Sequence, residues 1–227
     1  MQAIKCELCG SSDIMKQNGF FQCQNCGTKY SLEEARNLIG VVKIDKSDDI
    51  ENLFTLARRC FEEKNYTESE KYYELVMREV PNNWVALFYQ AYCHAYSTCS
   101  VNCEDALDLI FSRTRTAAKL IKENLNGQDK SDAITKIMKL NPEIIDKIVR
   151  AAVQVFSSSI YKLDALLNKT GDYFISLETL IKQDFPYQKE ALTAIQRALY
   201  HHVEHYSLLD RKERKFLLNR LKAEMDH

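Results

Sequence analysis

Two short motifs near the N-terminus constrain this chain more than anything else in it. Cys6-Glu7-Leu8-Cys9-Gly10 and Cys23-Gln24-Asn25-Cys26-Gly27 are both C-x-x-C-G, with thirteen residues between Cys9 and Cys23. A two-residue spacer lets both sulfurs of a pair face one ion at about 2.3 Å, and two pairs complete a tetrahedron. The glycine after each second cysteine supplies the positive φ of a tight turn. It also lets backbone N–H groups approach the sulfurs. Cys6, Cys9, Cys23 and Cys26 are therefore expected to hold one structural Zn2+. Four protein ligands leave no open position for water or substrate, which argues against a catalytic ion. Four unligated cysteines and a redox dithiol are the alternatives, and two matched units at this separation argue against both.

The residues around the motifs read as a small β unit. Ile14-Met15-Lys16 and Phe20-Phe21-Gln22-Cys23 form two short strands joined through Asn18-Gly19, a hairpin signal. Ser31 with Glu34 is a capping box, opening a helix that uses Leu32, Ala35, Leu38 and Ile39 and ends at Gly40. This places a metal-stapled unit at 1–40 and an extended linker at 41–49. Some 35 residues cannot build an adequate core, so metal binding would provide the missing stability. The run CELCGSSDIMKQNGFFQCQNCGTKYSLEEA resembles a zinc ribbon of the transcription factor IIB type. More closely, it is similar to the N-terminal ribbon of bacterial zinc-ribbon proteins with a helical remainder. The resemblance implies metal ligation by the same four cysteines. It implies no particular function, because such ribbons serve transcription, translation and protein–protein contacts alike.

Charge bears on the nucleic-acid reading. Residues 1–40 carry Lys5, Lys16, Lys29 and Arg36 against Glu7, Asp13, Glu33 and Glu34, a balance of zero. Four thiolates around one dication make the loaded ribbon net negative. Nucleic-acid affinity rests largely on clustered Lys and Arg that neutralise phosphates. Lys16, Phe20, Phe21 and Lys29 make at best a small basic-aromatic patch, and both phenylalanines can equally pack the hairpin. The whole chain has 31 basic and 32 acidic residues and so no global basic field. Nucleic-acid binding is therefore disfavoured, though the ribbon resemblance keeps it as the second reading.

Beyond Asp49 the pattern is helical. Six glycines and three prolines in 227 residues leave little material for the turns of a sandwich or barrel. Leu53, Leu56, Ala57 and Cys60 give one apolar face, and a helix over 68–80 stops at Pro81. Helices follow over 84–98 and 104–124, then a short one from Ser131 to Asn141-Pro142. The longest is expected over 142–167, broken by Thr170-Gly171-Asp172. The last three are expected over 173–182, 186–209 and 211–225, the final one capped by Asp210. Residues 50–83 fit one 34-residue tetratricopeptide frame, with Tyr66, Ser69, Tyr73 and Val76 on the second helix and Pro81 closing the unit. Trp84, Leu87, Ala91 and His94 would begin a second repeat, so the resemblance covers 50–98. It implies paired helices that form a groove for a partner peptide or helix.

Other constellations are weaker. His201-His202-Val203-Glu204-His205 places two histidines one helical turn apart and matches the H-x-x-E-H metalloprotease pattern. His202 falls on the apolar stripe of Ile195, Leu199 and Tyr206, however, and no further carboxylate ligand is evident. Cys93, Cys99 and Cys103 have no zinc spacing and read as core residues. Residues 80–103 contain no Asp, Glu, Lys or Arg, but the apolar part is too short for a membrane span. Without an export signal the expected compartment is the reducing cytoplasm. The resulting expectation is a mainly α protein: an N-terminal zinc ribbon, a linker and an all-α, helical-repeat-like domain over 50–227. It is expected to act as a non-enzymatic adaptor with a protein partner and no membrane association.

Overall fold

The computed structural model describes residues 5–17, 20–31, 47–206 and 211–226. The chain divides into two compact units at the junction of residues 49 and 50. The first carries strands β1 (Ile14–Gln17), β2 (Phe20–Cys23) and β3 (Lys29–Tyr30) in one antiparallel sheet of order β1-β2-β3. The register sets Ile14 opposite Cys23, Lys16 opposite Phe21, and Phe21 opposite Tyr30. Alternation along the pleat gathers Cys23, Phe21, Ile14 and Tyr30 with Cys6 into a core of three buried and two half-buried residues. Met15 and Phe20, of opposite parity, are exposed. Lys16 lies 6.0 Å from the Phe21 ring. Phe21 therefore packs the sheet rather than a free patch.

Both expected strands are present, and β3 is an addition. Two residues carry no periodicity to read; they become a strand because Phe21 and Gln22 offer them a free edge. The hairpin dipeptide Asn18-Gly19, the helix expected at 32–40 and the linker up to residue 46 lie outside the described residues.

Eight helices follow among the described residues: α1 (Ser47–Glu62), α2 (Tyr66–Glu79), α3 (Trp84–Thr98), α4 (Cys103–Asn124), α5 (Gly127–Val155), α6 (Ile160–Asp184), α7 (Lys189–His205) and α8 (Arg211–Met225). The chain is mainly α, as its turn-poor composition requires. Three helices start on asparagine caps: the Asn65, Asn83 and Asn102 side chains accept from the N–H of Glu68, Ala86 and Asp105. Helix α1 ends in a Schellman turn, with Asn65 N–H on Cys60 O and Lys64 N–H on Phe61 O. Lys64 holds the left-handed position of that turn at φ 60°.

Sequence neighbours from α2 to α8 pack on one another. Helix α3 also packs on α5, α5 on α7, and α4 on α6. Phe61 of α1 meets Tyr89 and Tyr92 of α3 edge-on at 4.9 and 5.2 Å. The odd-numbered helices α1, α3, α5 and α7 thus form one row, with α4 and α6 behind it. One continuous core runs from Ala57 to Leu221.

Two expected breaks in this unit are absent. Pro142 sits inside α5, which runs through it for 29 residues. Asn141 explains the continuity. Its Nδ2 donates to Ile137 O at 2.7 Å, and its Oδ1 accepts from Thr114 and Tyr173. This buried network joins α4, α5 and α6 and offsets the hydrogen bond that proline removes. The real break comes at 156–159, in Phe156-Ser157-Ser158-Ser159. Helix α6 likewise runs through Gly171. A Cβ there would meet His202 Nε2 at 3.5 Å, so the glycine marks close packing of α7 rather than a turn.

Candidate metal centre

The metal centre is built by two knuckles of the same form. In the first, Cys6 N–H donates to Ser11 O at 2.8 Å and Gly10 N–H to Cys6 O at 2.8 Å. In the second, Cys23 N–H donates to Thr28 O and Gly27 N–H to Cys23 O, both at 2.9 Å. Gly10 and Gly27 adopt φ of 71° and 77°, the left-handed region that only glycine enters without strain. The matched C-x-x-C-G spacing is thus translated into matched backbone turns.

These turns bring the four sulfurs of Cys6, Cys9, Cys23 and Cys26 within 4.8 Å of one another. Cys6 Sγ lies 3.4 Å from Cys26 Sγ, and Cys9 Sγ 3.6 Å from Cys23 Sγ. A tetrahedron with metal–sulfur bonds of about 2.3 Å has edges of about 3.8 Å. The donor set and its spacing fit a four-thiolate metal site, and with the adjoining antiparallel sheet they fit a zinc ribbon. All four corners are protein sulfur.

Hydrogen bonds hold the sulfurs in place and prepare them to lose protons. The Tyr30 hydroxyl meets Cys6 Sγ at 3.0 Å, and the Thr28 hydroxyl meets Cys26 Sγ at 3.0 Å. Donation from Tyr30 outweighs burial and brings the Cys6 thiol down to about 6. The Thr28 hydroxyl and N–H lower Cys26 as well. Cys9 moves the other way, to about 11: its backbone bond from Ser11 lowers it, but desolvation and the neighbouring sulfurs outweigh that bond. Tyr30 itself is pushed up to about 12 by its bond to Cys6, so it stays a donor. The hydroxyl donors thus favour thiolate in the cluster, the form that binds a metal ion.

Tyr30 and Thr28 were not legible as site residues from the cysteine spacing. The available signal was their place, Thr28 two and Tyr30 four residues after Cys26, on the segment leaving the second knuckle. Such partners orient metal ligands and tune their basicity.

The other sequence candidates do not assemble a site. The four-cysteine cluster is the only group of three or more metal-competent side chains among the described residues. Cys93, Cys99 and Cys103 are buried, and desolvation pushes each thiol up. Cys103 Sγ donates to Cys99 O at 2.9 Å. His201 and His205 stack at 4.3 Å on the surface of α7. His202 is 5% exposed and its Nε2 donates to Leu167 O at 2.9 Å. Burial lowers its pKa, so it is a neutral packing residue. No described helix is long and apolar enough to cross a membrane. No family model, curated protein or solved structure matches the chain.

Proposed function

We propose that this chain is a non-enzymatic adaptor in which a zinc ribbon and a tetratricopeptide-like helical unit each contact protein. The observation that carries the reading is the closed coordination set: four protein sulfurs within 4.8 Å of one another leave no corner for a substrate. A tetrahedral all-thiolate set suits zinc or iron, and zinc is the reading that fits a closed structural site. Its role is to stiffen a unit whose own core is three buried residues. The stiffened unit presents Leu8, Met15 and Phe20 to solvent, at 78%, 53% and 51% exposure. Apolar side chains displayed on a rigid frame suit a protein contact. In the helical unit, two helices, α1 and α2, fall on the 50–83 frame read as one repeat, which supports the reading.

Metal analysis of the purified chain should give one zinc per chain, lost in Cys9→Ser. Affinity purification with the wild-type chain and with Leu8→Ser/Phe20→Ser then tests the adaptor reading. A reproducible protein partner, weakened when those side chains are removed, is the expected result. Reproducible absence of any protein partner counts against it, and absence of bound zinc removes its premise.

A further inference from the structure

Helix α8 sorts its charges by face. From residue 212 on it carries Lys212, Arg214, Lys215, Arg220 and Lys222 against Glu213 and Glu224. Arg220 turns inward to the buried carboxylate of Glu178 at 3.0 Å. Glu224 is engaged by Lys182 and Gln196, both at 2.7 Å. Arg214 folds back to the Glu204 carbonyl of α7. Leu221 is buried and fixes which side of the helix faces the bundle. At about 100° per residue, the opposite side falls on Lys212, Lys215, Phe216, Asn219, Lys222 and Ala223, an arc of about 120°. All six are exposed.

This strip holds three lysines and no carboxylate. Lys215 and Lys222 have no ion-pair or hydrogen-bond partner among the described residues. Phe216, 74% exposed, stands on the same strip as its one large apolar group. Charge complementarity calls for an anionic occupant, and the width of the strip decides its kind. It runs about 15 Å along the axis from Lys212 to Lys222. Glu213 and Glu224 lie along the edge beyond Phe216, and Asp226 follows the helix. Glu204 of α7 is exposed beside Arg214. A wide polyanion, such as a nucleic-acid duplex or a bilayer, would overlie those carboxylates as well as the lysines. A single polypeptide segment lies along the strip and avoids them.

We infer that the outward strip of α8 binds an acidic, amphipathic segment of a protein partner, its carboxylates on Lys215 and Lys222 and an apolar side chain on Phe216. That the partner is a protein rests on the adaptor reading; its chemistry comes from α8. An acidic helix suits the strip, because carboxylates three, four and seven residues apart share one of its faces.

The test titrates the zinc-loaded full chain into a fluorescein-labelled peptide of glutamate, leucine and alanine, about 18 residues long so that helix can form. One saturable site is expected, weakened when salt is raised to about 0.3 M. The same peptide with glutamine for glutamate should bind about tenfold more weakly. Lys215→Glu/Lys222→Glu should lose about tenfold for the acidic peptide, the scale of two exposed charge pairs turned repulsive. Phe216→Ser should lose several-fold. All three positions are exposed, and melting curves confirm that each variant is folded. Leu8→Ser/Phe20→Ser should bind the peptide unchanged, which separates this strip from the ribbon contact. No binding of the acidic peptide, equal binding of the glutamine peptide, or unchanged affinity in Lys215→Glu/Lys222→Glu overturns the inference. So does tighter binding to duplex DNA or to phosphatidylserine vesicles, which would make the occupant a wide polyanion. A partner still captured through Leu8 and Phe20 would then leave the adaptor reading standing.

Discussion

Glu178 anchors the C-terminal helix, and replacing it with Gln should loosen that helix in a measurable way. Its carboxylate is 4% exposed on α6. It accepts from Lys182 at 2.8 Å, from Arg220 of α8 at 3.0 Å and from Gln196 of α7 at 3.2 Å. Glu224 closes the cluster through Lys182 and Gln196, both at 2.7 Å. Among its described residues helix α8 otherwise buries only Leu221 fully, so polar contacts carry much of its docking. Breaking a fully buried ion pair costs about 3–5 kcal/mol. Arg220 and Lys182 are 36% and 40% exposed, so both rehydrate in part, and Glu224 still holds Lys182. We expect Glu178→Gln to cost about 2 kcal/mol once that screening is allowed for. In a unit of this size that lowers Tm by roughly 4–8 °C. Calorimetry measures it, and hydrogen exchange should show the largest loss of protection in α8.

The pH dependence gives a second arm. Burial acts to raise Glu178, but donation from Lys182 and Gln196 and the Arg220 charge outweigh it, so its folded pKa lies below the ordinary 4.5. The unfolded chain then takes up the proton first as pH falls. The contribution is complete above about 4.5 and disappears as pH falls through the folded value. The gap between wild type and Glu178→Gln should accordingly close in acid. A Tm change under about 1 °C at neutral pH, or strict additivity with Arg220→Gln in a double-mutant cycle, would refute the reasoning.

Three further outcomes follow from the geometry. Tyr30→Phe removes the donor to Cys6 and should weaken zinc binding about 10–100-fold in a chelator competition; unchanged affinity would show that the bond does not tune the ligand. Lys64→Gly relieves a non-glycine residue at φ 60° and should raise the unfolding free energy from urea titration by about 0.5–1 kcal/mol, whereas a lowered value would mean that the Lys64 side chain contributes more than the backbone strain costs. His202 has a folded pKa below its ordinary 6.5, so its contribution is complete above about 6.5 and is lost as pH falls below that. His202→Gln should flatten the loss of stability between about pH 6.5 and 5, and a parallel pH profile would exclude His202 as its source.

The metal centre was almost wholly legible because its information is local. Ligand type, a two-residue spacer and a following glycine all lie within five residues, and each knuckle closes on its own hydrogen bonds. The same locality made the asparagine-capped starts of α2, α3 and α4 readable to within two residues. The two misread helices share a different cause. Proline and glycine are breakers by local propensity, yet Pro142 lies beside an asparagine satisfied by α4 and α6, and Gly171 lies where α7 brings His202 against the backbone. Those partners are 27 to 32 residues away in sequence, and no window on the chain contains them.

The sequence by itself determined the four cysteines that cluster, the helical character of the remainder and the absence of a basic field. Each follows from residue type, short spacing or composition. Only the tertiary structure decided which sulfurs receive the Tyr30 and Thr28 hydroxyls, that α5 and α6 run unbroken, and that Lys215 and Lys222 stand on the outward side of α8 while Arg220 turns inward to Glu178. Those outcomes depend on distances between groups far apart in the chain, set by how the helices pack. Local propensity is worth about 1 kcal/mol per residue for glycine and about 3 for proline. A buried network of hydrogen bonds and packed neighbours can exceed that, so at these positions the packing prevails.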